Sequence, residues 1–254
     1  MEYAGRGDPA RTMALLWDGL PTPRRGPRQR LELSRIVDAA IAQADRAGPA
    51  ALSMRALAQE LGIGTASLYT YVPGKAELLE LMVERVVGNQ PLPDAAAGWR
   101  AGLRDVAGSD LAAYRTHPWL LQVSTVRTVF GPNVLARYEA TLALLDGHGL
   151  AAADVVGCVA AVEAYTRGAA SAVVEAEQAP AQTGSSDDEW WERQVPFLEE
   201  RMNGRFPLFS ALEEAGAFAV SDTTLPYTVQ RALDRFAFGL DLLLDAIGAR
   251  ITAA

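Results

Sequence analysis

From residue 36 onward the apolar positions recur at helical spacing, and no run alternates in the manner of a half-buried strand. Ile36, Val37, Ala40, Ile41 and Ala44 form one stripe, which Ser34 can cap and Gly48-Pro49 stops. Ser53 is an N-cap residue for a short second helix, since its hydroxyl can take up a free first-turn N–H. Met54, Leu57, Ala58 and Leu61 follow it at i, i+3, i+4 and i+7. Gly62 supplies the permissive backbone for a turn, and Gly64-Thr65 opens a third helix that points Leu68 inward with Val72. Pro73-Gly74 ends that helix. Leu78, Leu79, Met82, Val83 and Val86 then line a fourth. The pattern predicts a compact three-helix head over residues 31–90, with the fourth helix leaving it.

Gly88 to Asp94 holds two prolines and marks a boundary, beyond which residues 94–254 suffice for a second all-helical domain with its own core. Asp154 can cap a long segment carrying Val155, Val159, Val162, Tyr165, Ala169 and Val173, with many small residues between them. A C-terminal stripe runs through Val229, Leu233, Phe236, Leu240, Leu243, Leu244 and Ile247. Two such helices suit a homodimer interface built as a four-helix bundle, and equally an intramolecular core. Gln178 to Asp188 reads as a polar loop.

The third helix of the head is chemically odd. An ordinary surface helix carries Glu and Lys on its outer faces. This one carries Thr65, Ala66, Ser67, Tyr69, Thr70 and Tyr71. Hydroxyls there can bond phosphates or base edges, and Ala66 can meet a thymine methyl. A short helix, a turn and a helix of this kind suit insertion of a helix N-terminus into the DNA major groove, although the spacing alone also fits a plain helix-turn-helix corner.

From Ile36 to Val86, the A-x-x-L-A-x-E-L-G-I and G-T-A-S-L-Y-T-Y-V-P-G-K patterns closely resemble the DNA-binding domain of the tetracycline-repressor (TetR) family of bacterial transcription regulators. The resemblance implies that Gly64, Thr65, Ala66, Ser67 and Thr70 lie at the DNA. It implies that Arg55, Tyr69, Tyr71 and Lys75 contact bases or backbone phosphate. Trp99-Arg100, His117-Pro118-Trp119, Gly131-Pro132-Asn133 and the Phe238 to Asp245 run resemble, less specifically, the tetracycline-repressor-type C-terminal domain of actinobacterial regulators. That implies a dimerising core that takes a small-molecule effector. The namesake's magnesium-binding histidines have no match, because the chain's histidines are His117 and His148 alone. A tetracycline–magnesium site is therefore not carried over, and neither a metal nor a cofactor is expected.

Charge fits this division. The chain carries a net −8, yet from Arg24 to Lys75 eight Arg or Lys stand against four acids, a local +4. A basic head on an acidic body orients in a phosphate field. Residues 1–30 read as a flexible basic arm, rich in Pro and Gly near its end. There Arg24, Arg25, Arg28 and Arg30 either reach an adjacent minor groove or remain solvated. In the second domain Trp99, Trp119, Phe130, Tyr138, Tyr165 and Trp191 are the aromatic candidates for an effector pocket, while Glu163, Glu175 and Glu177 would matter to a cationic effector.

No phosphate-binding glycine loop, H-E-x-x-H or G-x-S-x-G motif is present, so an enzyme is not expected. The lone cysteine, Cys158, excludes an intrachain disulfide and reads as a small buried residue. With no secretory signal or membrane span, the cytoplasm is the expected location. The leading expectation is a homodimeric repressor released from a palindromic double-stranded operator by a small molecule. The alternative is a helical binding or scaffold protein that no longer reads DNA.

Overall fold

The computed structural model describes residues 2–3, 8–19, 31–124, 127, 129–202 and 204–253. Helix α1 (Pro9–Trp17) precedes the head. Helices α2 (Leu33–Ala51), α3 (Met54–Glu60) and α4 (Thr65–Tyr71) build the head, and α5 (Lys75–Gly88) leaves it. The rest comprises α6 (Trp99–Thr116), a 3-10 turn (Pro118–Gln122), α7 (Pro132–Ala143), α8 (Ala152–Thr183), α9 (Asp187–Met202), α10 (Pro207–Glu214) and α11 (Tyr227–Ala253). The fold is all-α, as the periodicity predicts. Among the described residues it departs from helix only in a short parallel pair, β1 (Glu2–Tyr3) with β2 (Val123–Ser124).

The head forms as its pattern dictates. Ser53 accepts from the Ala56 N–H at 3.1 Å and starts α3. Gly62 ends it at φ +69°, where Gly62 and Ile63 donate back to Gln59 and Ala58, a Schellman closure that a side-chain-bearing residue would strain. Ile36, Leu57, Leu68, Val72, Leu78 and Met82 are completely shielded from solvent at the centre. Helix α2 breaks at Gly48, in line with its Gly-Pro stop.

The expectation of a flexible arm over residues 1–30 is corrected at its start. Asp8 caps α1 through its carboxylate, and Leu15 and Leu16 sink into the head core. The Asp8 N–H donates to Glu77 on α5 at 3.2 Å, and the Trp17 indole donates to the Phe130 carbonyl at 2.9 Å. The apolar triplet Leu15-Leu16-Trp17 is what docks this helix. Arg24, Arg25, Arg28 and Arg30 lie outside the described residues.

The second core is drawn from α6, α8 and α11 with Leu144 and Leu145 after α7. Helix α8 starts at Ala152, so Asp154 sits in its first turn rather than at the cap. It also runs to Thr183, which makes the first half of the expected Gln178–Asp188 loop helical.

Candidate functional site

Two surfaces carry chemistry. The first is α4. Leu68 is its buried residue, so the helix is held from one side and turns the rest of its surface outward. Ala66, Ser67, Tyr69 and Thr70 are exposed, and Arg55 is exposed at the start of α3. Thr65 and Lys75 are half-buried, and Lys75 begins α5. Two residues are less open than the sequence suggests. The Tyr71 ring packs partly against the head core, and the Thr70 hydroxyl donates to the Ser67 carbonyl at 2.7 Å. The Thr70 oxygen keeps an acceptor site for a base edge. Gly64 precedes α4 without a capping side chain. Its amide-rich start therefore suits a phosphate.

Scaffold contacts fix this helix relative to the body. Arg46 of α2 pairs with Glu60 of α3 at 3.1 Å, and Arg85 of α5 pairs with Asp38 of α2 at 3.0 Å. Asp45 of α2 accepts from the Trp119 indole at 2.8 Å and faces the His117 Nδ1 at 2.9 Å. The His-Pro-Trp run thus clips the 3-10 turn to the head.

The second surface is an interior cavity of about 730 Å³. Its floor is Val83, Val86 and Val87 of α5, the helix whose Leu78, Leu79 and Met82 belong to the head core. Val106, Asp110 and Tyr114 of α6 form one wall, and Leu135, Arg137 and Tyr138 of α7 another. Helix α8 contributes Glu163 and Arg167, and the β2 edge with Val129 and Phe130 completes the rim.

Four charges stand around this largely apolar space. Arg137 is 7% exposed and donates to the Pro91 and Val106 carbonyls, the Ser109 hydroxyl and, at 2.8 Å, the Asp110 carboxylate. Gln90 adds a bond to Asp110 at 3.2 Å. Burial still pushes the Asp110 carboxyl up, with Arg137 pulling the other way. Arg167 donates to the Leu121 and Val123 carbonyls and lies over the Tyr114 ring. Burial beside Asp110 also raises the Glu163 carboxyl, against a smaller opposing pull from Arg137.

Of the aromatic candidates, Phe130 and Tyr138 line the cavity. Four others lie elsewhere, each for a packing reason. Trp119 is buried in the head core. Trp99 lies against Gly248 of α11. Tyr165 donates to the Arg235 and Phe236 carbonyls at 2.9 Å. Trp191 meets Tyr227 edge-on. The sequence reading missed Gln90, Asp110, Arg137 and Arg167 as wall residues. Their signal was a polar residue on an apolar stripe, as with Arg137 between Val134 and Thr141.

The α5–α7 junction explains the Gly131-Pro132-Asn133 run. The buried Glu84 carboxylate accepts from the Asn133 and Val134 amides at 2.5 and 3.1 Å, an acid at a helix N-terminus. A Cβ at Gly131 would run into that carboxylate. No helix among the described residues is long and apolar enough to cross a membrane.

The model of bacterial regulatory proteins of the tetR family matches residues 36–82, and that of the tetracyclin repressor-like C-terminal domain matches residues 92–251. The chain is 43% identical over 249 residues to the HTH-type transcriptional repressor DrrR1 of Streptomyces coeruleorubidus, covering 97% of this chain and 88% of that protein. An HTH-type transcriptional regulator of Saccharopolyspora erythraea is 36% identical over 143 residues, 56% of this chain and 61% of its own. Among solved structures, the TetR family protein ActR of Streptomyces coelicolor in complex with actinorhodin superposes with a TM-score of 0.66 at 26% identity, over 87% of this chain and 98% of that one.

Proposed function

The chain belongs to the tetR family of bacterial regulatory proteins, and from that membership we propose that α4 reads the operator while the cavity beneath α5 takes the effector. The protein is a DNA-binding, ligand-responsive transcriptional repressor. The observation that carries the division of labour is the double duty of α5. Leu78 to Met82 lie in the head core, and Val86, also a head-core residue, lines the cavity with Val83 and Val87. An occupant that fits better with one position of α5 than another shifts the head by that difference in affinity.

Thr65, Ala66, Ser67 and Thr70 are the base-reading candidates. Arg55, Tyr69, Tyr71 and Lys75 are assigned to phosphate, with Gly64 admitting the backbone close to it. Two heads on a palindrome require a homodimer. The faces of α8 and α11 suit one: Phe238, 68% exposed, lies beside the small residues Gly168 and Ala172, and Leu242 is 56% exposed further along α11. Such a patch is expected to be covered. A regulatory rather than catalytic role, in the cytoplasm, completes the reading.

The test is selection from random duplex DNA followed by release. A recovered palindrome, bound by two chains, supports the reading. Absence of any enriched sequence at moderate salt sinks it in favour of a helical binding protein that does not read DNA.

A further inference from the structure

The four cavity charges are not equivalent. Arg137 is committed to three oxygens of the backbone and Ser109 as well as to Asp110, and Arg167 is committed to two carbonyls. Asp110 takes bonds from Arg137 and Gln90. Glu163 accepts no hydrogen bond and joins no ion pair among the described residues, although its side chain forms part of the wall. The Gln90 Nε2 serves Ser109 and Asp110, so the bonds of the polar wall run through Asp110 and leave Glu163 out. At the polar end of the cavity, Glu163 is therefore the carboxylate that holds no donor among the described residues.

From this imbalance we propose that the effector is a largely apolar organic cation whose protonated amine pairs with Glu163. This deepens the effector-cavity reading and rests on it. The apolar body lies over Val83, Val86, Val87 and Tyr138, and the ammonium meets the wall charge that makes neither a hydrogen bond nor an ion pair among the described residues. An anionic effector meets the Asp110 and Glu163 carboxylates, while Arg137 is already paired with Asp110 and Arg167 holds the Leu121 and Val123 carbonyls. Glu163 is exposed on the cavity wall, where partial burial and then Asp110 raise its carboxyl, and an incoming cation offsets both. Asp110 and Tyr114 on α6, Arg137 and Tyr138 on α7 and Arg167 on α8 are the other titratable or charged groups around the cavity.

The test uses three matched fluorescent probes on the full-length protein: 9-(aminomethyl)anthracene, protonated at neutral pH, the neutral 9-anthracenemethanol and the anionic 9-anthracenecarboxylate. Fluorescence anisotropy titration should give the amine about tenfold or greater preference over the alcohol, the scale of one charge-assisted hydrogen bond, with the carboxylate weakest. Glu163→Gln keeps side-chain volume and should bring amine and alcohol together. Glu175→Gln, on the same helix outside the cavity lining, should leave the preference intact. Equal binding of amine and alcohol to the wild type, or a preference that survives Glu163→Gln, overturns the cation assignment and leaves the effector cavity standing. Failure of all three probes to bind the wild type overturns both.

Discussion

The two buried clusters of this protein are built on different terms. The core over α6, α8 and α11 is supplied by its own elements. The head core is not: Leu15 and Leu16 come from α1, and Trp119, Val123 and Val129 come from the segment beyond α6. Size explains the difference, since a unit of about 60 residues buries only about 60% of the surface its unfolded chain exposes. The head gains cover by borrowing it, and what it borrows also frames the cavity, for Val123 and Val129 line both. A domain that cannot close its own core is held by residues that also line the cavity.

The comparison breaks most visibly at Trp119. It is 1% exposed and bonded to Asp45 across the two parts. Trp119→Ala should cost about 3–5 kcal/mol, the usual range for emptying a large aromatic site. Calorimetry should show the variant's head melting before the rest, where the wild type melts once. Two transitions already present in the wild type would mean the cores are independent. Leu16→Ala tests the same borrowing from the other side. It should cost about 2 kcal/mol, and chemical denaturation should place the loss in the head transition.

The α5–α7 junction sharpens the comparison in function rather than stability. Gly131→Ala drives a methyl toward the Glu84 carboxylate and should cost about 1–3 kcal/mol by overpacking. Its more telling effect is on coupling: the factor by which a bound probe weakens operator binding, equal by linkage to the factor by which operator weakens the probe, should differ from the wild-type value. An unchanged factor would remove the junction from the coupling route.

How far the sequence carries depends on how local the determinant is. Ser53, Gly62, Leu57 and Leu68 act within a few residues of themselves, so the head was legible with its turn. The cavity was not, because Glu163 and Arg137 acquire their meaning from helices far apart in the chain. Aromatic content misled there: Trp119 and Tyr165 have polar handles that found partners in packing, and large rings fill cores before they line cavities. Helix α1 is not legible from the basic, Pro-rich stretch that follows it, because its determinant is the apolar triplet Leu15-Leu16-Trp17, whose leucines pack into a core formed by residues beyond position 35.

The smallest expected effects separate the two kinds of contact on α4 and its flanks. If Lys75 and Tyr69 hold phosphate as proposed, Lys75→Ala and Tyr69→Phe should each weaken binding by about 1 kcal/mol on every duplex and, for Lys75, lower the salt slope by about one. Thr65→Val keeps the shape of its side chain and removes the hydroxyl. It should lower the preference for the best operator over single-base variants while leaving non-specific affinity nearly unchanged. Thr70→Val tests a subtler point, because its proton is engaged by Ser67 and its oxygen alone can accept. Its effect should therefore fall on bases that offer a donor in the major groove, adenine and cytosine, and not on guanine or thymine. A uniform loss across all four bases would show that Thr70 serves the helix backbone and not the readout.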